Sequence, residues 1–235
     1  MSDVICTVCA RGGSKGIPRK NVREVGGKPL IGHAITDAIE WGRADDIVVS
    51  TDDSEIAEVA KEFGASVPFE RPTALATDEA PKFPVIKHAV EQKERNRSER
   101  YDYVVDIDAT APLRQPQDIE DCYRAVTEDE QATNAYTVHE ADKNPYFNMV
   151  ELDDEGFAAL SKRPEESICR RQDAPTVYAM NAAVYVYERD FLDTSNSCQG
   201  EFTRVSVMPP ERSVDVDDEM DLRFVEFLLE HEEIK

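Results

Sequence analysis

The sequence predicts an α/β fold, a mostly parallel sheet flanked by helices. Strand-like runs such as Val4–Ala10, Ile47–Ser50 and Tyr103–Ile107 recur along the first half. Segments of helical periodicity separate them at the spacing of βαβ units. With 235 residues, 40% hydrophobic and 32% charged, the chain is long and apolar enough to bury one large core. One domain spanning 1–235, with a small excursion at 140–175, is the expected organisation.

Strand Val4–Ala10 leads into a glycine-rich loop. A helix then opens at Pro29, a residue suited to a first helical turn, and Leu30, Ile31, Ala34, Ile35, Ala38 and Ile39 form its apolar stripe. Strand Ile47–Ser50 follows, then helix Ser54–Phe63 stopped by Gly64, then a short strand around Val67. A helix over roughly Pro84–Glu94 precedes strand Tyr103–Ile107, and another starts near Pro116. Beyond Ala132 the alternation breaks. Asn134–His139, Tyr146–Leu152, a turn at Gly156 and Phe157–Leu160 read as a hairpin excursion. Strand Tyr178–Tyr187 returns to the sheet, Val205–Val207 adds another, and helix Glu219–Glu230 closes the chain.

The net charge of −22 repels phosphates and anionic headgroups, so neither nucleic acid nor a membrane is an expected partner. Heavy acidity with more Arg than Lys reads as halophilic adaptation to a salty cytoplasm. No stretch approaches the ~20 apolar residues of a membrane span. The start Met1-Ser2-Asp3 lacks the basic region of a signal peptide, so a cytoplasmic location is expected. Of five cysteines, Cys6 and Cys9 have CxxC spacing but sit within a strand. There they point to opposite faces, as buried thiols rather than a metal or redox pair.

The strongest local signal is Ala10-Arg11-Gly12-Gly13-Ser14-Lys15-Gly16-Ile17-Pro18-Arg19-Lys20-Asn21. Residues 11–28 hold five glycines and six cations against the single acid Glu24, a charge reversal in a strongly acidic chain. The loop follows the first strand, at the carboxyl edge where α/β proteins place ligands. Glycines let backbone N–H groups approach a polyanion, and Arg11, Lys15 and Lys20 supply charge. A solvated basic turn is the bland alternative. Neither GxxxxGK[ST] nor GxGxxG is present, which counts against a P-loop ATPase and a nicotinamide enzyme.

Two acidic pairs complete the chemistry. In extended Ser213-Val214-Asp215-Val216-Asp217 both carboxylates face one side, a pattern suited to Mg²⁺ with phosphate oxygens, although any DxD is cheap among 49 acids. Asp106 and Asp108 share a face at the end of strand Tyr103–Ile107. The four histidines form no HExxH, and no GxSxG elbow exists.

Taken together, the motifs resemble the acylneuraminate cytidylyltransferase family, the CMP-sialic acid synthetases. The family opening, approximately ARxxSKGxPxKN, is matched by Ala10-Arg11, Ser14-Lys15-Gly16, Pro18 and Lys20-Asn21. Arg71-Pro72 with Leu75-Ala76-Thr77-Asp78, Thr110-Ala111-Pro112-Leu113-Arg114, Arg171-Gln172, Asn181 and Ser213–Asp217 follow in family order.

The resemblance implies a Rossmann-like, nucleotide-diphospho-sugar transferase type of fold. It implies transfer of CMP from CTP to the anomeric hydroxyl of a sialic-acid-like acidic keto-sugar, with release of pyrophosphate. Arg11 and Lys20 would hold phosphate oxygens, with Gly12, Gly13, Ser14, Lys15 and Asn21 around them. Arg71 would lie against the cytosine, Asp215 and Asp217 would hold Mg²⁺, and Asp217 is the chosen proton acceptor. Asp108, Thr110, Arg171, Gln172 and Asn181 complete the substrate contacts, and the excursion would reach a partner's active site in a homodimer.

Two departures bear on the acceptor. Asp108 stands where many members carry Gln, and Phe147 where well-known members carry a lysine that meets the sugar carboxylate. Arg171, with Lys143, is then expected to take that carboxylate, and the sugar to be a relative such as legionaminic or pseudaminic acid. Transfer to an octulosonate or a sugar 1-phosphate, and a catalytically inactive nucleotide-binding module, are the competing readings.

Overall fold

The computed structural model describes residues 2–13, 16–95, 97–163 and 168–231. Among these described residues, ten strands and six α-helices run in the order β1 (Val4–Cys9), β2 (Glu24–Val25), β3 (Lys28–Pro29), α1 (Leu30–Trp41), β4 (Asp46–Ser50), α2 (Ser54–Glu62), α3 (Lys82–Glu94) and β5 (Tyr103–Ile107). They continue as α4 (Pro116–Thr127), β6 (Asn134–Glu140), β7 (Val150–Leu152), β8 (Ala158–Leu160), β9 (Tyr178–Glu188), α5 (Phe191–Thr194), β10 (Thr203–Val207) and α6 (Glu219–Glu230).

The main sheet has the order β10-β6-β9-β5-β1-β4. β1 runs parallel to β4 and β5, and β10 parallel to β6, while β9 is antiparallel to both its neighbours. Strand alternation divides the core. Val4, Cys6 and Val8 of β1 and Val105 and Ile107 of β5 face a cluster with α1, α2 and α4. Ile5 and Val104 face α3 and α5 on the other side. Cys6 and Cys9 accordingly pack on opposite faces. Burial pushes both thiols well above the usual range, so neither is a ready thiolate.

Several boundaries differ from the sequence reading. Around Val67 there is only an isolated bridge between Val48 and Ser66, because Pro68 has no N–H to extend a ladder. Pro29 pairs with Glu24 in the small β2–β3 hairpin, so α1 begins one residue later. Ile39 is half-exposed near the Gly64 turn, and Trp41 joins the buried stripe. α3 starts at Lys82, before Pro84, since a proline in the first turn removes an N–H that has no intrahelical partner anyway. Asn134–His139, expected in the excursion, instead lies in the main sheet as β6, and the hairpin itself is β7–β8, turned at Gly156 with φ 86°.

Candidate active site

The site lies where β1 and β5 end. Ala10 N donates to the Ser50 carbonyl and starts the basic loop, while Asp108 N donates to the Ala183 carbonyl of β9. Arg114 fastens this edge from below. Its buried guanidinium donates to the carbonyls of Asp108 (2.9 Å) and Ala183 (3.0 Å) and to Asp37 Oδ2 (3.0 Å).

The loop and the DVD segment meet directly. Lys20 Nζ donates to the Val216 carbonyl (2.8 Å) and to Asp217 Oδ1 (3.1 Å). Asn21 is buried, and its Nδ2 donates to the Arg11 carbonyl at 2.9 Å, closing the loop on itself. A Cβ at Gly16 would lie 2.1 Å from the Asp217 carbonyl oxygen, so only glycine permits this approach. Gly16→Ala should push the two segments apart and lower any turnover this site supports at least about tenfold, the range for a misplaced reacting group. Unchanged turnover would contradict the contact. Gly12 N donates to Asp52 Oδ1 (3.0 Å), Gly13 is exposed, and Arg11 pairs with Asp78 at 2.7 Å. Ser14 and Lys15 lie outside the described residues.

The DVD segment alternates as its sequence predicts. Val216 is buried and Val214 half-buried against Ile17, Leu30, Leu113 and α6 residues. Val216 N donates to the Thr110 carbonyl, and Arg212 clamps the segment to Asp118 of α4. Burial pushes the Asp215 carboxyl up to about 6, with Thr110 opposing and Asp108 and Asp217 adding to the rise. Asp215 Oδ1 is buried with no hydrogen-bond partner among the described residues. An orphaned acceptor beside a second carboxylate fits a hard divalent cation. Among the described residues no group of three or more His, Cys, Asp and Glu side chains converges as metal ligands. A Mg²⁺ ion that takes two carboxylates and completes its shell with phosphate and water needs no such group.

A cleft of about 210 Å³ opens beside the loop, lined by Cys9, Arg11, Arg71, Asp78, Lys82 and Asp108 among others. Arg71 is buried, with Nε donating to Ser50 Oγ (3.1 Å) and Nη2 to the Ser50 carbonyl. Asp108 Oδ1 accepts from Thr110 N (3.1 Å) and Thr110 Oγ1 (2.9 Å), and Oδ2 from Lys82 (2.7 Å). Burial works against its charge, but the Lys82 ammonium and the Thr110 bonds hold Asp108 below the ordinary carboxylate range. The carboxylate that departs from the family amide therefore carries its own counter-cation. Lys82 is absent from the sequence reading, because its partners lie 24 and 26 residues away and only the fold joins them.

Asn181 sits beneath the site. Its Oδ1 accepts from Thr137 Oγ1 (2.7 Å), and its Nδ2 donates to Ser213 Oγ (2.9 Å), tying β6 and β9 to the DVD segment. Ala182, at φ 55°, marks the bulge that aims it there. Arg171 and Gln172 are not gathered with these groups. They line another cleft at the base of the excursion, with Glu140, Asn144 and Pro175.

The family model described as cytidylyltransferase matches residues 5–223. The chain is 38% identical over 229 residues to a CMP-N,N'-diacetyllegionaminic acid synthase of Campylobacter jejuni, covering 97% of this chain and 96% of that protein. It is 37% identical over 235 residues to a post-translational flagellin modification protein B of Campylobacter coli, covering 100% of this chain and 98% of that one. In fold it is similar to a CMP:2-keto-3-deoxy-manno-octonic acid synthetase complexed with CTP, with TM-score 0.71, 19% identity, and coverage of 98% and 100%. A match that runs from β1 into α6 takes in the basic loop, the Lys82–Asp108 pair and the DVD segment alike, and the chain belongs to the cytidylyltransferase family.

Proposed function

We propose that this protein is a cytoplasmic enzyme that transfers CMP from CTP to the anomeric hydroxyl of a nonulosonic acid, releasing pyrophosphate. The observation that carries this reading is the closure of the basic loop on the Asp215–Asp217 segment through Lys20. A loop that cradles a polyanion would then stand against two carboxylates. Legionaminic acid is the acceptor favoured, since a relative named for it is 38% identical over nearly the whole chain, against 33% for one named for pseudaminic acid.

Displacement at phosphorus depends on positioning and charge neutralisation more than on covalent help. Arg11, Lys20 and the loop amides would bind the β- and γ-phosphates, and Arg71 would lie against the base. Asp215 and Asp217 would hold Mg²⁺, which when bound supplies Lewis-acid neutralisation of phosphate charge. The sugar hydroxyl attacks the α-phosphorus in line with departing pyrophosphate, and Asp217, the exposed member of the pair, takes its proton.

A pyrophosphate-release assay over CTP, UTP and ATP with legionaminic, pseudaminic and N-acetylneuraminic acids, an octulosonate and a sugar 1-phosphate tests the reading. Release is expected with CTP and a nonulosonic acid. Release only with a sugar 1-phosphate, or nucleotide binding without turnover, would contradict it. Arg11→Ala and Lys20→Ala should each cost about 1.5–3 kcal/mol in kcat/KM for CTP, the range for hydrogen bonds to charged groups.

The excursion supports a homodimer. Val150, Leu152 and Phe157 are 58%, 69% and 68% exposed on a short hairpin, which is marginal alone in water. A two-fold contact would cover them and bring Arg171, with Lys143, to the partner's sugar carboxylate. Light scattering should give twice 26.4 kDa, and Phe147→Asp with Met149→Asp should give monomers that bind CTP but use sugar poorly. A fully active monomeric parent would contradict the dimer. The acidic surface also fits a halophilic setting, and the unfolding temperature should rise with KCl.

A further inference from the structure

Lys82 opens α3 against the helix's own electrostatics. A cation at a helix N-terminus faces the positive end of the macrodipole, and no acid stands in the first turn of α3 to offset it. The end of β5 holds it instead. Lys82 Nζ lies 2.8 Å from Asp106 Oδ2 and 2.7 Å from Asp108 Oδ2, with the Tyr185 ring centroid at 4.7 Å. Both carboxylates push the ammonium well above its ordinary pKa although burial opposes them, so it is a fixed charge.

The two carboxylates have different surroundings. Asp106 is fully buried and also accepts from Thr7 Oγ1 at 2.6 Å, which makes it part of the sheet's interior. Asp108 lines the cleft that holds Arg11 and Arg71. An ammonium has three N–H donors; Lys82 donates one to Asp108 and is ion-paired with Asp106, whose Oδ2 has no hydrogen-bond partner among the described residues. An ionised carboxylate accepts at about four sites, and Asp108 fills three with Thr110 N, Thr110 Oγ1 and Lys82. The pair therefore leaves donor capacity on Lys82 and a lone pair on Asp108 for a ligand in the cleft that both line. That is the complement of a hydroxyl, which both accepts and donates; a carbonyl offers no donor and an ammonium no acceptor.

Its place along the site says which hydroxyl. Asp108 shares the cleft with Arg71 on one side and bonds to Thr110 on the other. The Thr110 carbonyl in turn holds Val216 between the two DVD carboxylates. A nucleotide with its base at Arg71 and its phosphates at the loop and Asp215 lays its ribose between them. We propose that Lys82 and Asp108 form a charge-coupled pair that binds a ribose hydroxyl of the nucleotide and so selects ribonucleotides over deoxyribonucleotides. Lys82 both touches the hydroxyl and keeps Asp108 charged and aimed. This rests on the cytidylyltransfer reading of the site.

Calorimetric titration of the whole chain with CTP, 2′-deoxy-CTP and 3′-deoxy-CTP tests the pair without requiring an acceptor. The parent should bind CTP at least about tenfold more tightly than one of the two deoxy analogues, the loss expected for a charge-assisted hydrogen bond. Asp108→Ala should abolish the preference by weakening CTP alone, and Lys82→Met should do the same, while Lys82→Arg retains part of it. Asp108→Ala leaves Lys82 paired with Asp106, so it remains informative if Lys82→Met fails to fold by circular dichroism. Equal binding of all three nucleotides by the parent would overturn the proposal. So would equal weakening of all three in the variants. Failure of the parent to bind CTP at all would instead sink the functional reading itself.

Discussion

Asp215→Asn and Asp217→Asn should each lower kcat/KM for CTP by about 100-fold or more at limiting Mg²⁺, the scale on which lost transition-state charge stabilisation is felt. Neither change should disturb the fold. Asp217 is exposed, and its backbone is held through Asp221, which accepts from Asp217 N at 2.9 Å. Asp215 carries a buried oxygen that no group among the described residues satisfies, so a neutral side chain there should be tolerated. The expected signature is an unchanged or raised unfolding temperature together with collapsed activity. Raising Mg²⁺ should recover part of the loss in Asp217→Asn, where the buried carboxylate remains. Full activity in both variants at limiting Mg²⁺ would remove this segment from the site.

The largest expected effect on stability belongs to Arg114→Met. The Arg114 guanidinium has no exposed surface and joins Asp37 of α1, the Asp108 carbonyl and the Ala183 carbonyl of β9. Truncating it strands the Asp37 carboxylate, a loss of about 3–5 kcal/mol for one partner of a buried ion pair. For a chain of this size that corresponds to roughly 6–20 °C in unfolding temperature. Burial already pushes the Asp37 carboxyl up to about 6, with Arg114 pulling against it. A carboxyl raised above its unfolded value of about 3.9 binds its proton more tightly when folded. Stability linked to Asp37 is therefore present below pH 4 and is lost as pH rises through 6. The deficit of Arg114→Met should accordingly be largest above pH 6 and shrink on acidification. A variant within about 2 °C of the parent at pH 8 would show that Arg114 does not carry this edge of the sheet.

What could be read from the sequence followed the range over which each signal acts. The basic loop stood out because charge and glycine content are local. The DVD carboxylates stood out because extended chain sends alternate residues to one side, and Val214 and Val216 do pack inward. Lys82 was illegible for the opposite reason, since nothing near Pro81-Lys82-Phe83 hints at the two carboxylates that β5 brings to it. Asn21 and Asn181 were visible as motif residues, but their bonds to the Arg11 carbonyl and to Thr137 and Ser213 exist only once the loop closes and β9 bulges. The strand expected at Val67 is a single bridge, because Pro68 has no N–H with which to extend the ladder.

One measurement tests the central claim most directly. The purified chain is incubated with CTP labelled at the α-phosphate, Mg²⁺ and legionaminic acid, and the labelled products are separated and weighed by mass spectrometry. The account predicts label in a CMP-sugar formed one-for-one with pyrophosphate, and loss of that product in Asp215→Asn. Label that remains in CTP, or appears only as free CMP, with every nonulosonic acid offered would contradict it.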